Sequence, residues 1–492
     1  MIALCMTVGL MGSASSAPIS AREDLMAAVG VNVRDSGAVG NGTANDTQAV
    51  KTAIELAVND GTGSVYFPDG TYRLSGSLSV PKSVELIFAL QATLLLDEGA
   101  VLSYNGTLTA GNQTVFTGSG KVSGDPLTAI GNPMWFGAKG DGKTDDTAAF
   151  QKAIDLFYHV VVPYSEKGYV ISDIKISRNN SKLQGEGETR KAKLIAAPHA
   201  DKMITVANSC IDVEYLAFEM AAAPKATCLF YDDSKFGIEL CNARYIDTVD
   251  AYCVLTDANH PTNMVVTSKF ENFNCKDGKG TAVVMNDMWG FIFMSNAVID
   301  NSNSASKHGI TVDFPGFFIK DNAGAILTDI RVIGDANGTD RAHGFDVRPG
   351  AAMWFRRCVA ENCSGSGIAM NSGSWVYILE CSVKNSKKDA ITLQNCNYLQ
   401  LINTKVEFTD DTKNNGVVFS GGSYNQTQDL SVVGAGKNGL VVKSTARSTF
   451  NDIRVSDCGG FGVYDKGSYC SYIGLSGSNN AGGTVNDSSR VY

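Results

Sequence analysis

A 23-residue repeat dominates the second half of the sequence. A small residue followed by an aliphatic or aromatic residue recurs at intervals of 23, 23, 26, 23 and 23 residues. The positions are Gly344, Gly367, Ala390, Gly416, Gly439 and Gly462. A unit of this length is too short for two helices, but it fits three short strands joined by turns. The repeat therefore predicts an all-β fold, a single-stranded right-handed parallel β-helix, in which each repeat forms one coil, termed a rung.

Other residue types keep the same phase. Cys358 and Cys381 are 23 residues apart, and so are Asn362 and Asn385. An asparagine amide both donates and accepts hydrogen bonds, so asparagines at one position of successive rungs can form a ladder. The spacing predicts such a ladder at Asn362 and Asn385.

Composition agrees with a chain of many short strands and turns. The 492 residues include 51 glycines and only 11 prolines. The formal charge of −9, without any run of lysine or arginine, argues against binding to nucleic acid. A local group of basic residues could still bind an acidic polysaccharide. Beyond the N-terminal region, no stretch is long and apolar enough to predict a membrane span.

The twelve cysteines are spaced one per strand or turn and form no C-x-x-C pair. This spacing argues against a metal site and against a disulfide framework. A free cysteine behaves as a small apolar core residue. We therefore expect reduced, buried cysteines and assembly in a reducing compartment.

A second repeat has a period of 100 residues. Residues 37–50 (GAVGNGTANDTQAV) recur as residues 137–150 (GAKGDGKTDDTAAF). Apolar residues at helical spacing begin in each copy, and Asp46 and Asp146 lie where a helix N-cap belongs. The acidic residues of the second copy do not have the spacing of an EF-hand. They predict a turn and a helix start rather than a calcium site, and no metal or cofactor is expected.

The motif Gly-Ala-x-Gly-x-Gly-x-x-Asp-Asp-Thr of residues 137–147, placed before a short amphipathic helix, resembles the opening module of the pectate-lyase-like superfamily. This module is common in bacteriophage tailspikes and capsule depolymerases. The resemblance implies that the helix covers the N-terminal end of the β-helix, where an open strand edge would favour association. It further implies a virion tail protein, a homotrimer, which binds and cleaves a bacterial surface polysaccharide.

The repeats divide the chain into four parts. Residues 1–30 form an N-terminal arm that, by the resemblance, attaches to the phage tail or to another tail protein. Residues 31–130 form a small β-rich module, residues 131–480 the catalytic β-helix, and residues 481–492 a polar tail. The apolar start of the arm also loosely resembles a signal peptide without a basic region, which would make the protein secreted.

Candidate site residues lie in two lengthened rungs. The steps from Gly280 to Gly309 and from Gly309 to Gly344 are 29 and 35 residues long, and the inserted residues should form loops on one flank. The segment His308–Asp313 aligns with His343–Arg348. This alignment predicts that Asp313 stacks with Arg348, and Thr311 with Asp346.

Two carboxylates on neighbouring rungs suit glycoside hydrolysis, in which one acts as acid and the other as nucleophile or base. A lyase would instead use a neutral histidine as base and Arg348 to neutralise a uronate. The catalytic candidates are Asp313, Asp346, Glu361, His308 and His343. The candidates for substrate binding are Arg348, Arg341, Trp289 and Phe317.

Two function classes remain open. The first is a depolymerase that cleaves bacterial capsule, exopolysaccharide or O-antigen, with hydrolysis favoured over elimination because paired carboxylates are easier to find than a lyase base. The second is a glycan-binding β-helix adhesin or tail component without catalysis. A polygalacturonase is disfavoured, since only the dipeptides His308-Gly309 and His343-Gly344 match its motif set.

Overall fold

The computed structural model describes residues 30–220, 223, 226–232, 238–249, 252–256, 265–266, 268–278, 280–286, 291–304, 306, 315, 317–320, 324–348, 352–409 and 413–486. The chain forms two compact units. Residues 30–129 and 134–137 belong to the first, and residues 130–133 and 138 onward to the second. Both units consist of parallel strands wound into rungs, which confirms the predicted right-handed parallel β-helix.

The described residues of the first unit form one α-helix and eleven strands in three small parallel sheets. Strands are numbered in chain order. The sheets have the orders β1-β3-β6-β9, β10-β7-β4-β2 and β11-β8-β5. The elements are β1 (Val31–Asn32), β2 (Asn41–Asn45), α1 (Thr47–Asn59), β3 (Ser64–Phe67), β4 (Gly70–Leu74), β5 (Leu78–Val80), β6 (Glu85–Phe88), β7 (Ala92–Leu96), β8 (Val101–Tyr104), β9 (Thr107–Thr109), β10 (Phe116–Gly118) and β11 (Lys121–Ser123), followed by a 3₁₀ turn (Pro133–Phe136) that spans the boundary between the units.

The second unit begins with strand β12 (Asp141–Asp145) and helix α2 (Thr147–Leu156) and contains two large sheets. The twenty-stranded sheet, called the long sheet, covers two sides of each rung. Its strands are β12 (Asp141–Asp145), β13 (His159–Val162), β14 (Gly168–Ile171), β16 (Lys182–Gly185), β17 (Ala192–Ala196), β19 (Asp212–Glu214), β20 (Leu216–Glu219), β23 (Asn242–Val249), β26 (Lys269–Lys276), β28 (Phe291–Asp300), β30 (Gly324–Ile333), β32 (Met353–Arg356), β33 (Val359–Glu361), β35 (Tyr377–Leu379), β36 (Ser382–Lys384), β38 (Gln400–Glu407), β40 (Gln426–Val433), β42 (Thr449–Ser456), β44 (Ser471–Ile473) and β45 (Ser476–Ser478).

The twelve-stranded sheet, called the short sheet, forms the remaining side. Its strands are β15 (Ile174–Ile176), β18 (Lys202–Val206), β21 (Thr227–Tyr231), β24 (Tyr252–Thr256), β27 (Val283–Asn286), β29 (Phe317–Lys320), β31 (Phe345–Val347), β34 (Ile368–Ser374), β37 (Ile391–Asn397), β39 (Val417–Ser420), β41 (Leu440–Ala446) and β43 (Val463–Ser468). Strands β22 (Ile238–Glu239) and β25 (Val265–Val266) pair separately.

The predicted 23-residue repeat is confirmed by the register of the short sheet. Phe345 pairs with Ile368, Ile368 with Ile391, and the same column continues through Val417, Leu440 and Val463. Alternate residues of these strands point into the core, and Ile368, Ile391 and Val417 are at most 1% exposed. Burial of an apolar side chain once per strand therefore fixes the repeat.

Both predicted helices are present, but their aspartates do not cap them. Asp46 and Asp146 occupy the N-cap positions without a capping hydrogen bond. Their carboxylates instead accept hydrogen bonds from the preceding loop: Asp146 from the backbone N–H groups of Lys139 (2.8 Å) and Gly140 (3.1 Å), and Asp46 equivalently. The aspartates thus hold the Gly-Ala-x-Gly loop against the helix start. Helix α2 packs against β13 and β15 through buried residues that include Phe150 and Ile154.

The predicted amide ladder forms at a different position. Asn362 and Asn385 lie at left-handed bends (φ 54° and 51°), and the Asn385 side chain accepts from Thr409. The ladder runs instead from Asp389 through Asn415 (3.0 Å) to Asn438 (3.2 Å). No hydrogen bond joins the side chains of Asn362 and Asn385, both of which lie in the described part of the chain, so equal spacing alone did not make a ladder.

Ten of the cysteines in the described part of the chain are free thiols, and nine of these ten are buried, as predicted. No helix in the described part of the chain is long and apolar enough to cross a membrane.

Candidate active site on the short sheet

The rung alignment that the sequence predicted around the site is wrong. Strand β31 pairs with β29, so that Phe317 lies beside Phe345, and Phe318 beside Asp346. Thr311 therefore does not occupy the place next to Asp346. The step from Val283 to Phe317 is 34 residues and the step from Phe317 to Phe345 is 28 residues, so the longer rung comes first.

Three predicted residues nevertheless meet at one cleft. His343, Asp346 and Arg348 line a cleft of about 280 Å³ on the outer face of the short sheet. Strands β31, β34 and β37 and the residues next to β31 and β34 supply the lining, because these strands lie side by side in register. The other lining residues are Ser366, Ala369, Met370, Asn371, Thr392 and Gln394.

Asp346 is held by Arg348. The Arg348 Nε donates to Oδ1 at 3.0 Å, and Nη2 donates to Oδ2 at 2.9 Å. Asp346 is only 6% exposed, while the Arg348 side chain is 51% exposed. The pair is bidentate and one-sided: the carboxylate is largely buried, and the guanidinium faces solvent.

Phe318 extends this arrangement. Its ring centre lies 5.7 Å from the Arg348 guanidinium carbon, on the rung before Asp346. A cation near an aromatic ring is stabilised by the ring's negative face. Sequence reasoning missed Phe318 because the rung alignment placed Thr311 at this position.

The hydrogen bonding of His343 determines which of its ring nitrogens carries the proton. Its Nδ1 accepts from the backbone N–H of Ser366 at 2.9 Å. Burial lowers the pKa of His343, and the negative charge of Asp346 partly opposes that shift. A neutral imidazole that accepts at Nδ1 carries its proton on Nε2. His343 is therefore a hydrogen-bond donor in the cleft.

A glycine makes this contact possible. A Cβ added to Gly365 would lie 2.7 Å from the His343 Nδ1 and 2.8 Å from the Asp340 carbonyl oxygen. Any larger residue would displace the imidazole or the loop of residues 334–343. Gly365 therefore sets the position of His343.

The other predicted catalytic residues do not join this cleft. Glu361 lies on the long sheet, and its carboxylate pairs with Arg331 at 2.6 Å. Asp313 and His308 lie outside the described residues. Asp346 is accordingly the only carboxylic acid among the lining residues that the structure describes.

The predicted substrate-binding residues have different outcomes. Arg348 lines the cleft, and Arg341 is exposed in the preceding loop without lining it. Phe317 is fully buried and stacks on Phe345 with ring centroids 5.1 Å apart. The prediction that Phe317 contacts sugar is therefore wrong, because core packing encloses the ring. Trp289 lies outside the described residues.

No metal site emerges within the described ranges. No group of three or more histidine, cysteine, aspartate or glutamate side chains there is placed to bind an ion. The polar side chains that line the cleft are one carboxylate, one guanidinium, one imidazole, two amides and two hydroxyls.

The winding of the strands and a solvent-facing cleft on their outer surface define a right-handed parallel β-helix protein. The family model described as "Rhamnogalacturonase A/epimerase, pectate lyase-like" matches residues 30–94 and 132–313, half of the chain. The chain belongs to this family. A second model, "Right handed beta helix region", matches residues 298–427. The predicted resemblance to the pectate-lyase-like superfamily is thus confirmed.

Curated relatives match short segments. The chain is 51% identical over 45 residues to mannuronan C5-epimerase AlgE5 of Azotobacter vinelandii, which is 9% of this chain and 4% of that protein. It is 30% identical over 102 residues to the pre-neck appendage protein of Bacillus phage phi29, which is 20% of this chain and 11% of that protein. The chain thus spans a small fraction of the length of these relatives.

Similar solved structures include a bacteriophage tailspike protein and an epimerase module. The tailspike protein 3 of bacteriophage CBA120 has 10% sequence identity and a TM-score of 0.35, over 98% of this chain and 64% of that one. The A-module of mannuronan C-5 epimerase AlgE4 of Azotobacter vinelandii has 13% identity and a TM-score of 0.31, over 93% of this chain and 97% of that one.

Proposed function

We propose that this protein is a tailspike-type depolymerase that cleaves a bacterial surface polysaccharide in the cleft of the short sheet. The observation that carries the proposal is the cluster of His343, Asp346 and Arg348 in one cleft. A nearly buried carboxylate, a donor imidazole and outward amides suit a substrate that is rich in hydroxyl groups. Family membership supports a carbohydrate substrate, because the matching model is described by polysaccharide-modifying enzymes.

Hydrolysis is the reaction that the geometry favours over elimination. A lyase base needs an imidazole lone pair that faces the sugar. In His343 the Nδ1 lone pair is already taken by Ser366, and Nε2 holds the proton. Arg348 likewise already donates Nε and Nη2 to Asp346, which leaves fewer of its donors for a uronate carboxylate.

Asp346 would then act as the carboxylate of a glycosidase. It accepts a proton from water as the water oxygen attacks the anomeric carbon, and an acid donates a proton to the leaving glycosidic oxygen. Asp313 stays the sequence-based candidate for that acid. His343 would donate its Nε2 proton in a hydrogen bond to a sugar oxygen and so orient the ring.

The assembly around this activity is also a proposal. The match to a phage pre-neck appendage protein supports a position on a virion tail. We place residues 1–30 as the arm that attaches to a tail protein, and we expect a homotrimer. Light scattering of the purified chain tests the trimer, and pull-down of tail proteins by residues 1–30 fused to a carrier tests the arm.

A glycan-binding protein without catalysis is the second candidate. The bidentate pairing of Asp346 with Arg348 favours it, because both oxygens of the carboxylate already accept hydrogen bonds. Such a cleft would bind hydroxyl groups through its amides and leave the chain intact.

One experiment separates these functions. The purified protein is incubated with a panel of bacterial capsular and lipopolysaccharide glycans, and reducing ends and the ultraviolet absorbance of unsaturated uronates are followed together. Reducing ends without absorbance support hydrolysis, and a rise of both overturns it in favour of elimination. Binding without either product overturns the depolymerase and supports the adhesin.

A further inference from the structure

One column of residues runs along the turns that precede the strands of the short sheet. It consists of the residue immediately before the small residue of each repeat: His343, Ser366, Asp389, Asn415, Asn438 and Phe461. This set is called the turn column. It contains the amide ladder described above, which starts at Asp389, and the cleft residue His343 lies two rungs before that start. The ladder and the cleft histidine therefore share one position of the coil.

His343 makes the contact that is typical of this ladder. The Asn415 Oδ1 accepts from the backbone N–H of Asn438 at 3.2 Å, and the Asn438 Oδ1 accepts from that of Phe461 at 2.8 Å. The His343 Nδ1 accepts from the backbone N–H of Ser366 at 2.9 Å. In each case a side-chain acceptor binds the N–H of the turn-column residue one rung further on. The imidazole nitrogen thus takes the place that an amide oxygen takes in the other rungs.

The backbone around His343 matches the backbone around Asn438. Gly365 donates its N–H to the carbonyl that precedes His343 in the chain (3.0 Å), and Gly460 donates to the carbonyl that precedes Asn438 (2.7 Å). A Cβ added to Gly365 would lie 2.7 Å from the His343 Nδ1, and a Cβ added to Gly460 would lie 2.6 Å from the Asn438 Oδ1. Both turns therefore hold the acceptor atom against an equivalent glycine.

An imidazole differs from an amide because it titrates. A neutral ring accepts at one nitrogen, but an imidazolium ion carries protons on both nitrogens and accepts at neither. The Nδ1 proton of a charged His343 would face the N–H of Ser366, donor against donor. Acid therefore removes the ladder contact at His343, whereas the contacts of Asn415 and Asn438 have no titrating group.

The surroundings of His343 decide where this change occurs. Burial lowers the pKa of His343. The carboxylates of Asp346 and Asp340 act in the opposite direction, and the guanidinium of Arg348 reinforces the shift. Lys388, two rungs further on, pairs with Asp340 at 2.9 Å and so weakens the influence of that carboxylate. The neutral ring is favoured in the folded protein, so the contact is complete at neutral pH and is lost below the ordinary histidine value of about 6.5.

We propose that His343 is the ladder residue of its rung and that protonation releases its imidazole from Ser366, so that acid removes the fixed Nε2–H donor from the cleft. The ring takes one proton from solvent, no covalent bond changes, and the N–H of Ser366 becomes free to bind water. The effect of this release on turnover rests on the proposed function, whereas the release itself does not. Cleavage of the glycan should therefore slow in acid together with the loss of the Ser366 contact.

Amide hydrogen exchange with mass spectrometry tests the release without any substrate. Exchange at Ser366 and at Phe461 is compared between about pH 7.5 and about pH 4.5, a range that includes the ordinary histidine pKa, and is corrected for the intrinsic rate at each pH. In the wild type, protection at Ser366 should fall about tenfold in acid, because one hydrogen bond is lost. Protection at Phe461, whose partner Asn438 does not titrate, should stay constant and is the internal control for folding.

His343→Asn separates the ladder contact from the titration, because an amide oxygen can accept from Ser366 at every pH. Protection at Ser366 in this variant should equal that of the wild type at neutral pH and should not fall in acid. His343→Ala removes the acceptor, so the same amide should exchange rapidly at both pH values. His199→Asn changes an exposed histidine outside the cleft and should keep the acid response of the wild type.

Three results would overturn the proposal. They are wild-type protection at Ser366 that does not change with pH, an equal acid loss in the wild type and His343→Asn, and low protection at Ser366 in His343→Asn at neutral pH while Phe461 stays protected. Failure of the proposed function looks different: exchange at Ser366 would follow the expectations above, but no glycan would be cleaved at any pH.

Discussion

The two outer faces of the β-helix use charged residues in opposite ways. On the long sheet, cations and carboxylates stack on neighbouring rungs and pair with each other, as in Arg331–Glu361 and Arg357–Asp329. On the short sheet beyond the cleft, the exposed cations Lys443 and Lys466 form no ion pair with any carboxylate that the structure describes. Exposed ion pairs contribute little to stability. The contrast indicates that stacked carboxylates neutralise Arg331 and Arg357 on the long sheet, whereas no carboxylate among the described residues does so for Lys443 and Lys466.

The largest expected effect is on turnover, and it compares a carboxylate of the cleft with a carboxylate of the long sheet. Asp346→Asn should lower polysaccharide turnover at least about 100-fold, because a proton-transfer group is lost. The thermal transition should change little, since the half-exposed Arg348 stays solvated. Initial rates on the cleaved glycan measure the effect.

Glu361→Gln is the matched control, because Glu361 is a paired carboxylate on the long sheet. Its turnover should equal that of the wild type. Equal losses in both variants, or near-normal activity of Asp346→Asn, would contradict the assignment of the cleft.

The next prediction compares a ring inside the β-helix with one outside. Phe317 is fully buried, and Trp354 is 42% exposed. Phe317→Ala should lower the free energy of unfolding by about 3–5 kcal/mol through the cavity that it leaves. Trp354→Ala should cost less than about 1 kcal/mol. Chemical denaturation measures both, and a small loss for Phe317→Ala would contradict its place in the core.

A pH experiment tests the environment of His343. Burial lowers its pKa in the folded protein, so the unfolded chain binds a proton more readily as the pH falls below the ordinary histidine value. The stability that the folded protein gains by keeping His343 neutral is fully present above that pKa, and it is lost as the pH falls. Between about pH 7 and about pH 5, the melting temperature of the wild type should therefore fall more than that of His343→Gln, by roughly 1–3 °C.

The exposed His199 provides the control for that comparison. His199→Gln should follow the wild-type pH dependence. The prediction fails if acidification lowers the melting temperatures of His343→Gln and His199→Gln by the same amount.

The smallest effect is expected on the long sheet. Arg331→Gln removes the partner of Glu361, and the Arg331 side chain is 52% exposed. The loss of stability should be below about 1 kcal/mol, because water solvates the freed carboxylate. A loss of several kcal/mol in denaturation would mean that these pairs are structural rather than a solvated surface.

The sequence predicted the fold and part of the cleft for a physical reason. One inward apolar residue per rung imposes a strict period, so Gly344, Gly367 and Gly439 marked the register correctly. His343, Asp346 and Arg348 are close in the chain, and one strand with its preceding loop carries all three to the cleft. Local spacing was sufficient in both cases.

The register of the lengthened rung and the outer rows of the short sheet depend on how the strands pack. The spacing of residues in the sequence does not reveal this packing. The His-Gly pairs at 308 and 343 suggested an alignment, but the stacking of Phe317 on Phe345 decides the register of the lengthened rung. One outward row of the short sheet could not be predicted for another reason. The row consists of Asn371, Gln394, Ser420 and Lys443. These residues are of different types, so no sequence motif relates them until the strands are placed side by side.

The repeated rung also sets the length of the β-helix in fixed steps. Each 23-residue unit from Val417 to Gly439 or from Leu440 to Gly462 begins and ends at the same point of the coil. Removing or duplicating one such unit would shorten or lengthen the outer surface by a single step of about 4.8 Å, with strand pairing preserved and the cleft untouched. Evolution can thus adjust the reach of this molecule by whole increments, independently of its chemistry.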